Sequence, residues 1–312
     1  MTDELYVIFG TGPVGCWTAR TLHDRGVEVR AVNRSGRRPA LLPAWVELRT
    51  ADLSDAAQAR DAAEGATAIV HAAAPPYARW AELFPALQAS ALAAAEATGA
   101  RLVAISNLYM LDPTGPIDEE TGVALRSKKG RLRQRLWEEL KAAHDRGAVQ
   151  AAEVRASDYY GPGVHESVYG DGFFDALLAG RPARVIGDPD APHALAYAPD
   201  VGRAAAELAV RTDGYGRWWL APHAPATSPR EVLEAAAKLE GTEAKLNAMG
   251  PWMMRLGALF VPAARQMLDL LDMYTRPFEV DARRSEEALG LEPTDMAVGL
   301  QRTLAWFRSQ RG

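Results

Sequence analysis

The chain has 312 residues, 48% of them hydrophobic, enough to bury a full core in one large domain or two closely packed ones. Charged residues make up 24% and the formal net charge is −5, so no global basic field favours nucleic acid or an anionic membrane as a partner. The single cysteine, Cys16, excludes an intramolecular disulfide, and the acidic start Met1-Thr2-Asp3-Glu4 lacks the basic and apolar regions of a signal peptide, so the expected compartment is the cytoplasm.

In chain order, Leu5–Phe9 is a short apolar run ending at glycine, as in a strand buried on both faces of a parallel sheet. A helical pattern over Val14–Arg25 follows. Strand-like runs then recur at Val27–Val32, Trp45–Leu48, Ala66–Ala72 and Arg101–Ser106, separated by alanine-rich helical stretches. This alternation predicts parallel βαβ units with right-handed crossovers, hence an α/β fold built on a doubly wound parallel (Rossmann) sheet. After Tyr160, glycine and proline break the pattern, and helices are expected over Ser228–Glu240, Pro262–Tyr274 and Met296–Ser309. Pro251–Pro262 is apolar but interrupted by Arg255 and shorter than the roughly 20 residues of a membrane-spanning helix, so it reads as a buried or ligand-facing helix. The expected division is a dinucleotide-binding domain over 1–163, with 194–221 returning to it. A smaller, mostly helical substrate region of 164–193 and 222–312 would lie over the sheet's carboxyl edge, where open α/β folds bind ligands.

Gly10-Thr11-Gly12-Pro13-Val14-Gly15 sits between the first strand and the first helix, the context in which this glycine pattern reads as a dinucleotide cradle. Gly10 permits the tight turn, Gly12 lets backbone approach a pyrophosphate, and Gly15 allows close helix–strand packing. The second strand ends at Asn33-Arg34-Ser35 where an NAD site places Asp or Glu against the ribose 2′-hydroxyl. A carboxylate would repel a 2′-phosphate, whereas Arg34 pairs with one and Ser35, Arg37 and Arg38 stand near, so NADP(H) is the expected cofactor. The same arginines would also suit a solvated loop. Asp52-Leu53 either flanks the adenine or provides a helix cap. No metal site is expected.

With these stretches and four others, the sequence resembles the short-chain dehydrogenase/reductase superfamily, in its extended branch of NAD-dependent epimerases and dehydratases. The others are His71-Ala72-Ala73-Ala74, Ser106-Asn107-Leu108-Tyr109, Arg155–Gly163 with its Tyr160-Gly161-Pro162-Gly163 end, and Ala196–Ala204. The resemblance implies a nicotinamide lying near Ser106 and the Tyr160–Gly163 turn, with Ala72, Ala73, Ala74, Gly161 and Pro162 beside the cofactor. It also exposes a gap. The Tyr-x-x-x-Lys of that family, whose lysine lowers the pKa of a catalytic tyrosine, is absent, and the nearest alignment puts Gly130 and Gln134 in its place.

Three functions follow in order. The first is an NADPH-dependent oxidoreductase reducing a carbonyl of an apolar or aromatic small molecule, with Ser106 or Asn107 polarising the oxygen and Tyr109, Tyr159, Tyr160, His193, water or the substrate's own hydroxyl supplying the proton. The apolar side chains Trp218, Trp219, Trp252, Met253, Met254, Phe260 and Met267 would wall its substrate. The second is an NADP(H)-binding sensor without turnover. The third is a nucleotide-sugar-type epimerase or dehydratase, ranked last because those reactions need the efficient base that the missing pair would supply. The expected partner is a small-molecule substrate, with monomer and homodimer both open.

Overall fold

A computed structural model describes residues 4–260 and 268–311. Leu5–Phe9 forms β1, buried along its whole length. Helix α1 (Pro13–Asp24) begins with proline, whose missing N–H costs nothing in a first turn. Strands β2 (Glu28–Asn33) and β3 (Glu47–Thr50), helix α2 (Ala56–Ala62), β4 (Ala66–His71), α3 (Trp80–Thr98), β5 (Arg101–Asn107), α4 (Lys128–Asp145), β6 (Ala151–Ala156) and β7 (Asp158–Tyr160) follow. The remainder comprises α5 (Ala176–Leu178), β8 (Ala183–Ile186), β9 (Leu195–Tyr197), α6 (Ala198–Val210), β10 (Trp218–Leu220), α7 (Pro229–Glu240), β11 (Leu246–Met249), α8 (Pro251–Gly257), α9 (Arg283–Leu289) and α10 (Met296–Ser309).

Seven strands form one parallel sheet in the order β10-β6-β5-β4-β1-β2-β3. Side chains of α1 and α6 fill one face, through Val14, Ala19, Leu22, Val201 and Ala205. Those of α2, α3 and α4 fill the other, through Ala59, Ala91, Ala94, Leu140 and Ala143. The winding reverses between β1 and β4, and their carboxyl ends open the crevice in which such sheets take ligands. Two parallel strand pairs, β7 with β9 and β8 with β11, extend from the carboxyl edge. A separate aromatic core of Phe173, Phe174, Leu233, Leu304 and Phe307 holds this region together.

The α/β sheet is as expected, with four local corrections. β3 runs over Glu47–Thr50 and not Trp45–Leu48, because Trp45 lies on the surface against the His23 ring. β6 and β10 were not expected as strands; β6 buries Glu153 and Arg155 as an ion pair, and those charges hide its apolar run. Of the helix expected over Pro262–Tyr274, residues 262–267, including Met267, lie outside the described residues, and Leu268–Tyr274 is a 3-10 segment. The helix read from Pro251–Pro262 is the short α8, which buries Met254 but leaves Trp252 68% exposed, and Phe260 in the turn after it is 80% exposed. Among the described residues no helix is long and apolar enough to cross a membrane.

Candidate active site

The glycine turn is shaped by the switch point. Gly10 has φ +99°, and a Cβ there would lie 2.5 Å from the Ala73 backbone, so the β1 exit presses directly on the β4 exit. At Gly15 a Cβ would strike the Gly10 carbonyl oxygen at 2.1 Å. Gly12 differs: nothing lies within 4 Å of its missing Cβ, and as N-cap of α1 it offers no side chain to the first-turn amides. The helix end is left open to an acceptor, with Thr11 and Pro13 half-buried and Val14 buried beside it.

Asn33 organises the next loop. Its Nδ2 donates to Thr11 Oγ1 at 2.8 Å and to the Arg37 carbonyl at 2.9 Å, while its Oδ1 accepts from the Gly36 amide at 2.8 Å and, more distantly, from Ser35 Oγ. Arg38 is occupied, donating to the carbonyls of Pro43 and Val46. Arg34 and Arg37 are exposed and, among the described residues, form no ion pair, though Arg34 lies close enough to help hold the Asp52 carboxyl below its usual range behind the main cause, hydrogen bonds from Ser54. Leu53 is core. The loop folds back on the glycine-rich turn after β7: a Cβ at Gly163 would overlap Leu41, and Trp17 of α1 donates to the Pro162 carbonyl at 3.2 Å. Ala72, Ala73 and Ala74 leave the β4 end with rising exposure. The cradle, the Arg34 loop and the Gly161–Pro162 turn thus border one crevice.

Beyond β5 and β7 lies a second cluster. A carboxylate only accepts, so His193 donates from Nε2 to Asp158 Oδ2, at 2.9 Å. The imidazole is nearly parallel to the Tyr274 ring at 5.2 Å and to Phe278 at 5.0 Å, and backbone bridges to Thr227 and Phe278 fix its position. Tyr77, Tyr109, Tyr169 and Tyr274 all lie within electrostatic reach of Asp158, and burial followed by that carboxylate pushes each phenol above its ordinary value. These tyrosines keep their protons at neutral pH. They can donate to a negative oxygen but are poor bases.

The other candidates lie elsewhere. Tyr160 is a packing residue: its ring meets Tyr197 and its hydroxyl rests against Gly299 of α10, so it is not brought to the Asp158 cluster. Tyr159 donates to the Ser106 carbonyl at 3.1 Å. Asn107 Oδ1 accepts from the Tyr109 amide and so fixes the turn after β5. Ser106 Oγ is buried without a hydrogen-bond partner, on the face covered by α3 and α4. Trp218 and Trp219 are parts of β10. Asp158, Tyr77 and Tyr274 were not singled out as site residues in the sequence. The one available signal was Asp158 itself, the only carboxylate between Arg155 and Gly163.

A family model for the NAD dependent epimerase/dehydratase family matches residues 5–216. The chain belongs to that family. No curated protein matches it. Among solved structures, a UDP-glucuronic acid 4-epimerase from Bacillus cereus in complex with NAD aligns at TM-score 0.80 and 14% identity, over 99% of this chain and 100% of that one. A UDP-glucose 4-epimerase from Thermotoga maritima with UDP-glucose aligns at 0.79 and 17%, over 99% and 100%. A dTDP-glucose 4,6-dehydratase from Streptomyces venezuelae with NAD bound aligns at 0.80 and 19%, over 99% and 98%. At such identities the likeness is one of fold.

Proposed function

We propose that the chain is an NADP(H)-dependent enzyme that moves a hydride between the cofactor and an oxygen-bearing carbon of a small molecule, with Asp158 and His193 handling the proton. The observation that carries this reading is that the open α1 N-terminus and the Asp158–His193 pair border the carboxyl edge of one sheet. The residues fit a nicotinamide dinucleotide: the uncapped first turn and the bare Gly12 suit a pyrophosphate. Arg34 and Arg37, which are exposed and form no ion pair among the described residues, favour a cofactor carrying a 2′-phosphate. When bound, that cofactor supplies or accepts the hydride. Asp158 and His193 can take a proton from a hydroxyl being oxidised or return one to an oxygen being reduced. Tyr109 and Tyr274, held protonated, would stabilise negative charge on that oxygen.

Family membership favours a second reading, an epimerase or dehydratase of a nucleotide-linked sugar. The objection that no base is present loses its force beside Asp158 and His193. One experiment separates the two: NADPH oxidation against a panel of carbonyl compounds, run beside UDP-glucose and dTDP-glucose with products resolved by chromatography. The proposal expects NADPH consumption matched to reduced product, and Asp158→Asn should lower turnover by about 10²-fold or more while NADPH still raises the melting temperature. Sugar conversion without net cofactor use would install the second reading. Saturable NADPH binding with no turnover of either kind would leave a sensor.

A further inference from the structure

Helix α8 is apolar on both of its sides. Met254 and Ala258 are buried, with α8 packed against the 3-10 segment Leu268–Tyr274. Trp252, Met253 and Leu256, with Leu259 and Phe260 in the turn that continues the helix, are 39% to 80% exposed. At 3.6 residues per turn these five fall on one side of the axis, and Met254 and Ala258 fall on the other. Among the described residues, no other stretch of chain exposes more than two large apolar side chains. A contiguous apolar stripe turned to the outside marks a surface that meets a partner.

The charges around the stripe select the partner. Between Lys245 and Phe260 the chain carries two cations and no carboxylate, in a protein whose net charge is −5. Lys245 lies 3.7 Å from Glu243, whereas Arg255, exposed on the flank of the stripe, forms no ion pair among the described residues. The carboxylates of the 3-10 segment are engaged elsewhere, Asp272 with Arg276 at 3.0 Å and Asp269 with the Lys128 amide. A second copy is a poor match. A two-fold contact would set the stripe against itself and bring Arg255 of both copies to one seam with no acid to meet them. The stripe also covers only on the order of a few hundred Å², against about 800 Å² per partner in a stable protein interface. A phospholipid surface answers both features, since its acyl boundary takes up Trp252, Leu256 and Phe260 while a headgroup phosphate accepts from Arg255.

We infer that α8 and the turn after it dock on the surface of a phospholipid bilayer. The docking does not depend on the hydride reading above, but its use does. α8 leaves β11 at Met249, the register partner of Ile186, and Ile186 and Tyr274 wall a small hollow at His193, so the lipid would lie beside the place where an apolar substrate reacts. The test is flotation of the full chain with vesicles of phosphatidylcholine alone and of phosphatidylcholine with a quarter phosphatidylglycerol. Sedimentation velocity without lipid and the melting temperature of each protein accompany it. Wild type should float with both vesicles, and more completely with the anionic ones. Trp252→Ser combined with Leu256→Ser should lower the bound fraction by at least about 10-fold at an unchanged melting temperature. Trp252→Ser alone should lower it less, and it keeps the test intact if the double variant does not fold. Arg255→Gln should cancel the preference for phosphatidylglycerol. Wild type left in the soluble fraction with both vesicles, or equal flotation of wild type and every variant, would overturn the inference. So would a dimer in sedimentation that the double variant dissolves, which would give the stripe to a second copy. Flotation by a chain that turns over no substrate would uphold the docking and sink only its use.

Discussion

At the scale of single residues, the cradle separates effects on the fold from effects on a ligand. Gly12 has open space where its Cβ would be, so Gly12→Val should leave the melting temperature nearly unchanged while abolishing the shift that NADPH produces. A fall in stability of the free protein would show that the space is not open. If the proposed NADP(H) preference holds, Arg34 is the residue that should distinguish the cofactors. Its guanidinium is exposed and forms no ion pair among the described residues, and a charge-assisted hydrogen bond to a phosphate is worth about 1.5–3 kcal/mol. Arg34→Ala should weaken NADPH binding by about 10- to 100-fold and leave NADH binding within a factor of about two. Equal losses for both cofactors in a titration would remove the 2′-phosphate from the argument.

At the scale of elements, α4 is held against the turn after β5 by the absence of a side chain. A Cβ at Gly130 would lie 2.3 Å from the Tyr109 carbonyl oxygen. Helix propensity alone says that Gly130→Ala should stabilise this first-turn position of α4, by at most the roughly 1 kcal/mol of an interior site. The contact predicts the opposite sign, because α4 or the Tyr109 turn must move, at about 1–3 kcal/mol. Thermal or denaturant unfolding of Gly130→Ala decides between them, and a more stable variant would mean that the two elements are not in contact. The same geometry explains why a tyrosine cannot simply be restored at this position. The inward pair one turn apart is Lys129 and Arg133, whose cations lie over Tyr77 and over Trp80 and Phe84.

At the scale of the whole molecule, acid stability depends on two buried, neutral histidines. His71 ends β4, beneath α3 and α4; His223 accepts from the Ser157 amide and donates to the Ala221 carbonyl, tying the β10 exit to the β6 exit. Burial brings the pKa of each down from 6.5 to about 4. A depressed folded value means that the unfolded chain binds the proton more readily. The stability these groups contribute is therefore present above about pH 6.5 and is lost as pH falls toward 4, about 3 kcal/mol for each histidine. The melting temperature should fall through that window, and His223→Gln, which keeps a donor and an acceptor, should flatten the fall. An unchanged slope in that variant would assign the acid loss to carboxylates instead.

Sequence alone determined the doubly wound sheet and the family resemblance, because both depend on local order: apolar runs of strand length, helical periodicity, and glycines at fixed offsets between a strand and a helix. β6 escaped it for a local reason as well, since its apolar run is broken by Glu153 and Arg155, which pair with each other two residues apart on the one strand and are buried there. The Asp158–His193 pair was beyond its reach. Those residues stand 35 positions apart and meet because β7 and β9 pair in parallel, with Tyr109, Tyr77 and Tyr274 arriving from three further segments. Tyr160 is likewise placed by tertiary packing, its ring against Tyr197 and its hydroxyl against Gly299 of α10. Which side chains share a site depends on strand pairing and helix packing across distant segments, and only the tertiary structure decided that.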